Sequence, residues 1–230
     1  MNIAEKIFSL KRSIEETAEK AGRGPESVRL VLVTKTVEPA RILEAYQAGE
    51  RDFGENRVQE WQEKKTALPQ DVRWHLIGHL QTNKVKHVVG KVHLIHSLDR
   101  LELADAIEKH AKAKAIPSVP CLVQVNMSGE ESKFGLDPAV VGDFVSQLSA
   151  RPSVKILGLM CIGPLTEDDV RIRDCFRTTR ELMEDLKMKF PQHAWDILSM
   201  GMSADYRIAI EEGANMLRIG SLAFPRDVAK

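Results

Sequence analysis

Residues Arg29 to Lys35 read RLVLVTK, a run that is apolar at alternate and intervening positions alike and ends on a charge. It is too short for a helix, and its β-branched content suits a parallel strand covered on both faces. Upstream, Ile3, Ile7, Leu10, Ile14, Ala18 and Ala21 recur at steps of three and four, which predicts an opening helix with one apolar face, stopped by Gly22, Gly24 and Pro25. Downstream, a polar turn leads to Pro39, suited to the first position of a helix that closes at Gly49. The same unit recurs along the chain. Strands are expected near Asp52 to Glu55, Arg73 to Ile77, His93 to His96, Cys121 to Asn126, Ile156 to Cys161, Asp196 to Met200 and Asn215 to Ile219. Helical patterns lie between them at about 57–67, 82–89, 99–114, 138–149, 167–189 and 204–212. Eight strands alternating with helices, without hairpin spacing, predict an α/β fold of the (β/α)8 TIM-type barrel with an additional N-terminal helix, residues 1–230 forming a single domain. A doubly wound open sheet is the alternative. It would normally carry fewer strands and a glycine-rich turn after the first, where this chain has TKTVEPA.

Composition narrows the function. The 230 residues hold 33 basic and 33 acidic side chains, so no net field gathers polyanions and nucleic-acid binding is not expected. KVKHVVGKVH, Lys84 to His93, reads as a solvated helix face rather than a nucleic-acid patch. The apolar runs are far shorter than the ~20 residues a membrane helix needs. The N-terminus lacks the apolar core of a secretion signal, and Cys121, Cys161 and Cys175 show no CxxC spacing. A cytoplasmic protein without disulfides or a metal site is expected, its cysteines filling core. His75 and His79 are four apart, but in a strand and its loop, so they lack the shared helical face of a zinc pair.

In a barrel of this kind chemistry sits at the carboxyl ends of the strands. Those ends carry Lys35, Glu55 with Asn56, Gly78 with His79, Ser97, Asn126, Cys161 with Gly163, Ser199 to Ser203, and Arg218 to Ser221. Strand ends meet water in any case, so polarity alone does not make each of them functional. Lys35 ends an apolar run; partial desolvation there would favour a neutral, nucleophilic amine, unless the side chain swings outward to a carboxylate such as Glu55. Ser199, Gly201 and Ser203 gather before a helix, and Gly220 and Ser221 follow the last strand, which together suggest an anion cradle. Ser203 also fits a plain helix cap, and Gly201 a tight loop. Arg218 falls on one face of NMLRIG, where its permanent charge needs either a carboxylate or a ligand heteroatom.

The motifs VTKT around Lys35, FGENRVQE (53–60), WHLIGHLQTNK (74–84), VNMSGEESKFG (125–135), ILGLMCIGP (156–164) and SMGMSADYRIAIEEGANMLRIGS (199–221) cover nearly the whole chain in order. In them the sequence resembles the pyridoxal phosphate homeostasis protein family, single-domain relatives of the alanine racemase barrel. The resemblance implies pyridoxal 5′-phosphate as cofactor, held as a Schiff base on Lys35. It implies a phosphate grip by the loops Ser199, Gly201, Met202, Ser203 and Gly220, Ser221, with Arg218 at the pyridine nitrogen and Asn56 near the ring. Relatives often continue IFG after the last glycine motif; AFPRDVAK stands here instead, and Pro225 argues against a final short helix.

An arginine at the pyridine nitrogen opposes its protonation and weakens the ring as an electron sink. Racemisation also needs a proton-transfer group on the opposite ring face, which two-domain racemases draw from a tyrosine of a second domain. The two tyrosines here, Tyr46 and Tyr206, fall on expected helices. A monomeric carrier of the cofactor in vitamin B6 and amino-acid homeostasis, handing it to apo pyridoxal-phosphate enzymes, is therefore expected, with no catalytic residue assigned. The alternatives are a pyridoxal-phosphate-dependent racemase or related enzyme, and a sugar-phosphate barrel enzyme using Lys35 on its substrate.

Overall fold

A computed structural model describes residues 1–130 and 133–225. Eight parallel strands close into a barrel in sequential order: β1 (Arg29–Val33), β2 (Asp52–Glu55), β3 (Arg73–Leu76), β4 (Leu94–Leu98), β5 (Val119–Val125), β6 (Val154–Cys161), β7 (Ile197–Ser199) and β8 (Met216–Ile219). The helices between them are α2 (Pro39–Gln47), α3 (Val58–Lys64), α4 (Val85–Val88), α5 (Leu101–Ala113), α6 (Val141–Gln147), α7 (Asp169–Lys189) and α8 (Tyr206–Glu211). All eight strands lie at or within a few residues of their expected places, and the short polar-looking β2 is fully buried because Phe53 faces the helices while Asp52 and Gly54 face inward.

The opening helix α1 (Ile3–Lys20) begins with a capping box, in which Asn2 accepts from the Glu5 amide and the Glu5 side chain accepts from the Asn2 amide. Ile3, Ile7, Leu10, Ile14 and Ala18 are buried where α1 packs on α8 and α2. That covers the gap across the β8–β1 closure, where Leu30 lies opposite Leu217 and Leu32 opposite Ile219.

Strand alternation divides the core in two. Outward residues such as Leu32, Phe53, Leu76, Ile95, Val123 and Leu198 pack under the helices. A smaller cluster of Val31, Leu94, Leu122, Met160 and Met216 fills the barrel interior. Between those apolar residues the inward positions of β2, β3, β4, β7 and β8 hold Asp52, His75, His96, Ser199 and Arg218, all buried. A mostly branched apolar interior is usual for this architecture, so a polar interior needs a hydrogen-bonding explanation. Among the described residues no helix is long and apolar enough to cross a membrane, and all three cysteines are free and buried.

Candidate functional site at the carboxyl ends of the strands

β1 ends at Val33, and Thr34 to Val37 form a tight turn in which the Val37 amide donates to the Thr34 carbonyl at 2.9 Å. Lys35 stands at the second position of that turn and Thr36 at the third, with φ +60°. Glycine normally fills that left-handed position, and a β-branched residue held there stores local strain of about 1–3 kcal/mol. The base of the turn is fixed from below. Lys64 on α3 donates 2.7 Å bonds to the Thr34 carbonyl and to Glu55 Oε1, and the Thr34 hydroxyl donates to the same carboxylate oxygen at 2.6 Å. Glu55 is wholly buried; burial pushes its carboxyl up, opposed by the bonds from Lys64 and Thr34.

Expectation and structure part at Lys35. Lys35 is exposed and pairs with no described residue, where partial burial was expected. The reason is the turn: the last buried residue is Thr34, and the chain leaves the barrel one residue before the amine. Glu55 is not its partner either, being taken by Lys64.

The neighbouring wall of the mouth is built from β8, paired directly to β1, and β7 beyond it. Gly201 adopts φ +93°, and a Cβ there would stand 2.6 Å from Ala209 Cβ and 2.9 Å from Leu217 Cδ2. Both backbone conformation and space demand glycine. Gly201→Ala is expected to cost about 2–3 kcal/mol through strain and overpacking, seen as a fall of roughly 5–10 °C in a thermal melt. At Gly220 a Cβ would meet the Val33 carbonyl oxygen at 3.1 Å, so the β8 loop runs against the end of β1. With Leu32 paired to Ile219, Lys35 and Ser221 leave adjacent strands at the same rim.

The amides of Ser203, Ala204, Gly220 and Ser221 donate to no described protein group, and neither do the Ser203 and Ser221 hydroxyls. Unpaired amides from two neighbouring loops are what a phosphate needs. The Met202 amide is instead held by Asp205 Oδ1 at 2.5 Å. Burial pushes the Asp205 carboxyl up, against the Met202 amide and the Arg218 charge. Beyond Ser221 the chain turns through Phe224 without forming a helix, and residues 226–230 of the divergent end lie outside those described.

Over residues 8–225 the chain matches the family model described as alanine racemase, N-terminal domain. It is 46% identical over 226 residues to a pyridoxal phosphate homeostasis protein of Aquifex aeolicus, covering 97% of this chain and 98% of that one. The chain belongs to the pyridoxal phosphate homeostasis protein family. PipY of Synechococcus elongatus PCC7942, 38% identical, superposes with a TM-score of 0.87 in its structure without PLP and 0.85 in its structure with PLP bound, covering 97% of this chain and 100% of that one. Alanine racemase of Clostridium difficile 630, at 14% identity and a TM-score of 0.74, shares the fold over 57% of its own length.

The homeostasis-family motifs bring Lys35, Gly201, Ser203, Gly220 and Ser221 to one end of the barrel, though not every expected residue joins the cradle. Ser199 does not: it is fully buried, its hydroxyl lying 2.7 Å from Arg218 Nη1 and 3.2 Å from His96 Nδ1. Position explains this, since Ser199 is the last residue of β7 and faces inward, while the loop opens only after Gly201. Arg218 meets no carboxylate among the described residues; its other bond goes to the Cys161 carbonyl at 2.7 Å. Two of its five donors are thus anchored to protein. Asn56 is half-buried beside a cleft of about 430 Å³ lined also by Arg57, Glu60, His79, Gln81 and Lys84. Asn126 is absorbed structurally, donating to the Glu130 and Lys133 carbonyls, and His79 stacks on Phe134 with ring centres 4.1 Å apart. The family motif VNMSGEESKFG also includes residues 131 and 132, outside those described.

Sequence reasoning did not identify Thr34 and Lys64 as parts of this end of the molecule, nor His75, His96 and Asp52 as the buried polar residues inside the barrel beneath it. A histidine inside an apolar strand, as in WHL and IHS, is the signal that was available for two of them.

Proposed function

We propose that this chain is a single-domain carrier, residues 1–230, that binds pyridoxal 5′-phosphate reversibly through a Schiff base on Lys35. The observation that carries this reading is the common rim of β1 and β8, which sets the free amine of Lys35 beside unpaired amides and hydroxyls of the β7 and β8 loops. PipY, a close structural relative with PLP bound, supports the choice of cofactor. The residues present fit the group: an accessible primary amine and an anion cradle on adjacent strand ends, with a buried guanidinium on β8 beneath them.

When bound, the cofactor supplies an aldehyde for the amine, an aromatic ring and a phosphate. Gly201, Met202, Ser203, Gly220 and Ser221 grip the phosphate. Met202 would contribute its amide by releasing Asp205. Lys35, being exposed, gains its reactivity from proximity to the gripped aldehyde rather than from burial. Asn56 would line the ring, and Arg218, offering only donors and a positive charge, would disfavour a proton on a ring nitrogen placed beside it. Ser199 acts through Arg218.

The carrier reading is favoured over a racemase by where the two tyrosines go. Tyr46 donates to Asp71 at 2.7 Å, and Tyr206 meets Ser13 of α1 at 3.0 Å, so neither phenol is at the mouth. A monomer in the cytoplasm that delivers cofactor to apo enzymes is the biological form of this reading. The test is to incubate the loaded protein with alanine in deuterated water and follow exchange at the α-carbon. Exchange no faster than with free cofactor is expected; turnover at enzymic rates overturns the carrier assignment.

A further inference from the structure

The polar residues inside the barrel make one continuous string. Arg73, at the amino-terminal end of β3, donates to both oxygens of Asp52 at 2.9 and 2.5 Å. Asp52 Oδ1 lies 2.9 Å from His75 Nε2, His75 Nδ1 lies 2.9 Å from His96 Nε2, and His96 Nδ1 lies 3.2 Å from the Ser199 hydroxyl. Arg218 closes the string at 2.7 Å from the same hydroxyl. It therefore runs from the closed end of the barrel to its mouth, and every member except Arg73 is buried.

The end groups dictate where the protons sit. Burial pushes the Asp52 carboxyl up, but the bonds from Arg73 and His75 outweigh it and hold the carboxyl well below its usual range, so it can only accept. His75 must then carry its proton on Nε2. Burial lowers both imidazoles, with the Asp52 charge opposing the effect at His75 and the neighbouring His75 and Arg218 adding to it at His96. His93 edges against His75 at 5.5 Å between ring centres, and burial lowers it as well. A neutral His75 protonated on Nε2 accepts on Nδ1, so His96 carries its proton on Nε2 and accepts on Nδ1. The Ser199 hydroxyl must donate to it, which leaves its lone pairs to Arg218. All donors point one way, from Arg218 toward Asp52.

We infer that Asp52, His75, His96 and Ser199 are positioning residues for Arg218, an oriented string that makes Ser199 an obligate acceptor and so fixes the guanidinium at the mouth from a carboxylate at the far end of the barrel. The orientation claim stands on the string alone; only its consequence for cofactor rests on the function proposed above. Buried hydrogen bonds in series polarise one another, so an alteration at Asp52 should reach groups it does not touch.

The test uses the full-length protein without cofactor and reads the imidazole and guanidinium nitrogens by 15N NMR. His75 and His96 are both expected as neutral Nε2–H tautomers. Asp52→Asn, which puts an amide able to donate where only an acceptor stood, should mix the tautomers of His96. Ser199→Ala, shown to be folded by its thermal transition, should release Arg218, collapsing its separate Nη signals by faster rotation; in the loaded protein it should weaken cofactor retention about tenfold, the worth of one charge-assisted hydrogen bond. An Nδ1–H tautomer at His96, a His96 signal blind to Asp52→Asn, or an Arg218 signal blind to Ser199→Ala overturns the inference. Should Asp52→Asn fail to fold, the wild-type tautomers and Ser199→Ala still decide it. Wild-type protein that shows the string but binds no pyridoxal phosphate sinks the proposed function instead.

Discussion

Lys35→Ala is expected to abolish the covalent retention of pyridoxal phosphate while leaving the protein folded. Lys35 is exposed and pairs with no described residue, so its removal should change stability by no more than about 0.5 kcal/mol, or roughly 1–2 °C in the melting temperature. The visible absorbance of the bound cofactor and its fixation by borohydride should both vanish. Residual binding through the phosphate loops would persist, weaker and fully dialysable. This combination separates a chemical role from a structural one, because a lysine that braced the fold would lower the melting temperature in step with binding. An alanine variant that retains a borohydride-fixed cofactor assigns the bond to another amine.

The second large effect is expected beneath that turn. Lys64→Met should destabilise the protein by about 3–5 kcal/mol at neutral pH, the usual cost of leaving a buried charge without its partner. Glu55 is wholly buried, its Oε1 shared by Lys64 and Thr34 and its Oε2 without a partner among the described residues. The pH dependence follows from the direction of its shift. Its carboxyl is already raised by burial in the folded chain, and losing Lys64 raises it further. A raised acid binds its proton more tightly folded than unfolded, so the penalty is present in full above the raised value and shrinks as pH falls through it. Chemical denaturation at two pH values measures this. The double variant Lys64→Met, Glu55→Gln should recover most of the loss, since no buried charge remains. Full single-variant stability at neutral pH would mean the pair contributes little. Because Lys64 also holds the Thr34 carbonyl, the single variant should loosen the Lys35 turn and weaken cofactor binding as well.

What the sequence made legible, and what it hid, follows from the range of each signal. Alternation and helix stops are local, so RLVLVTK, the Pro39 helix and the later βα units could be read in order and lie where expected. The rule that barrels act at their carboxyl rim then carried Lys35, Gly220 and Ser221 to one place, and the register of Leu32 with Ile219 brings them there. Burial at a strand end was harder. Lys35 looked half-buried because VLVT is apolar, yet the turn that begins at Thr34 sends it to solvent. Ser199 looked like its neighbours Gly201 and Ser203, but one residue of strand separates an inward side chain from an open loop. The string from Asp52 to Arg218 was invisible because its members are spread from position 52 to 218 and meet only when alternate residues of five strands face the same interior. Histidines at 75 and 96 carry no local mark of being neighbours.

The most direct measurement is to load the wild-type protein with pyridoxal phosphate, reduce with borohydride, digest and locate the modified peptide by mass spectrometry. A single pyridoxyl group on Lys35, absent when inorganic phosphate competes at high concentration for the β7 and β8 loops, is the predicted result. Modification scattered over surface lysines, or concentrated on Lys64, Lys84 or Lys133 with Lys35 unmodified, would contradict it.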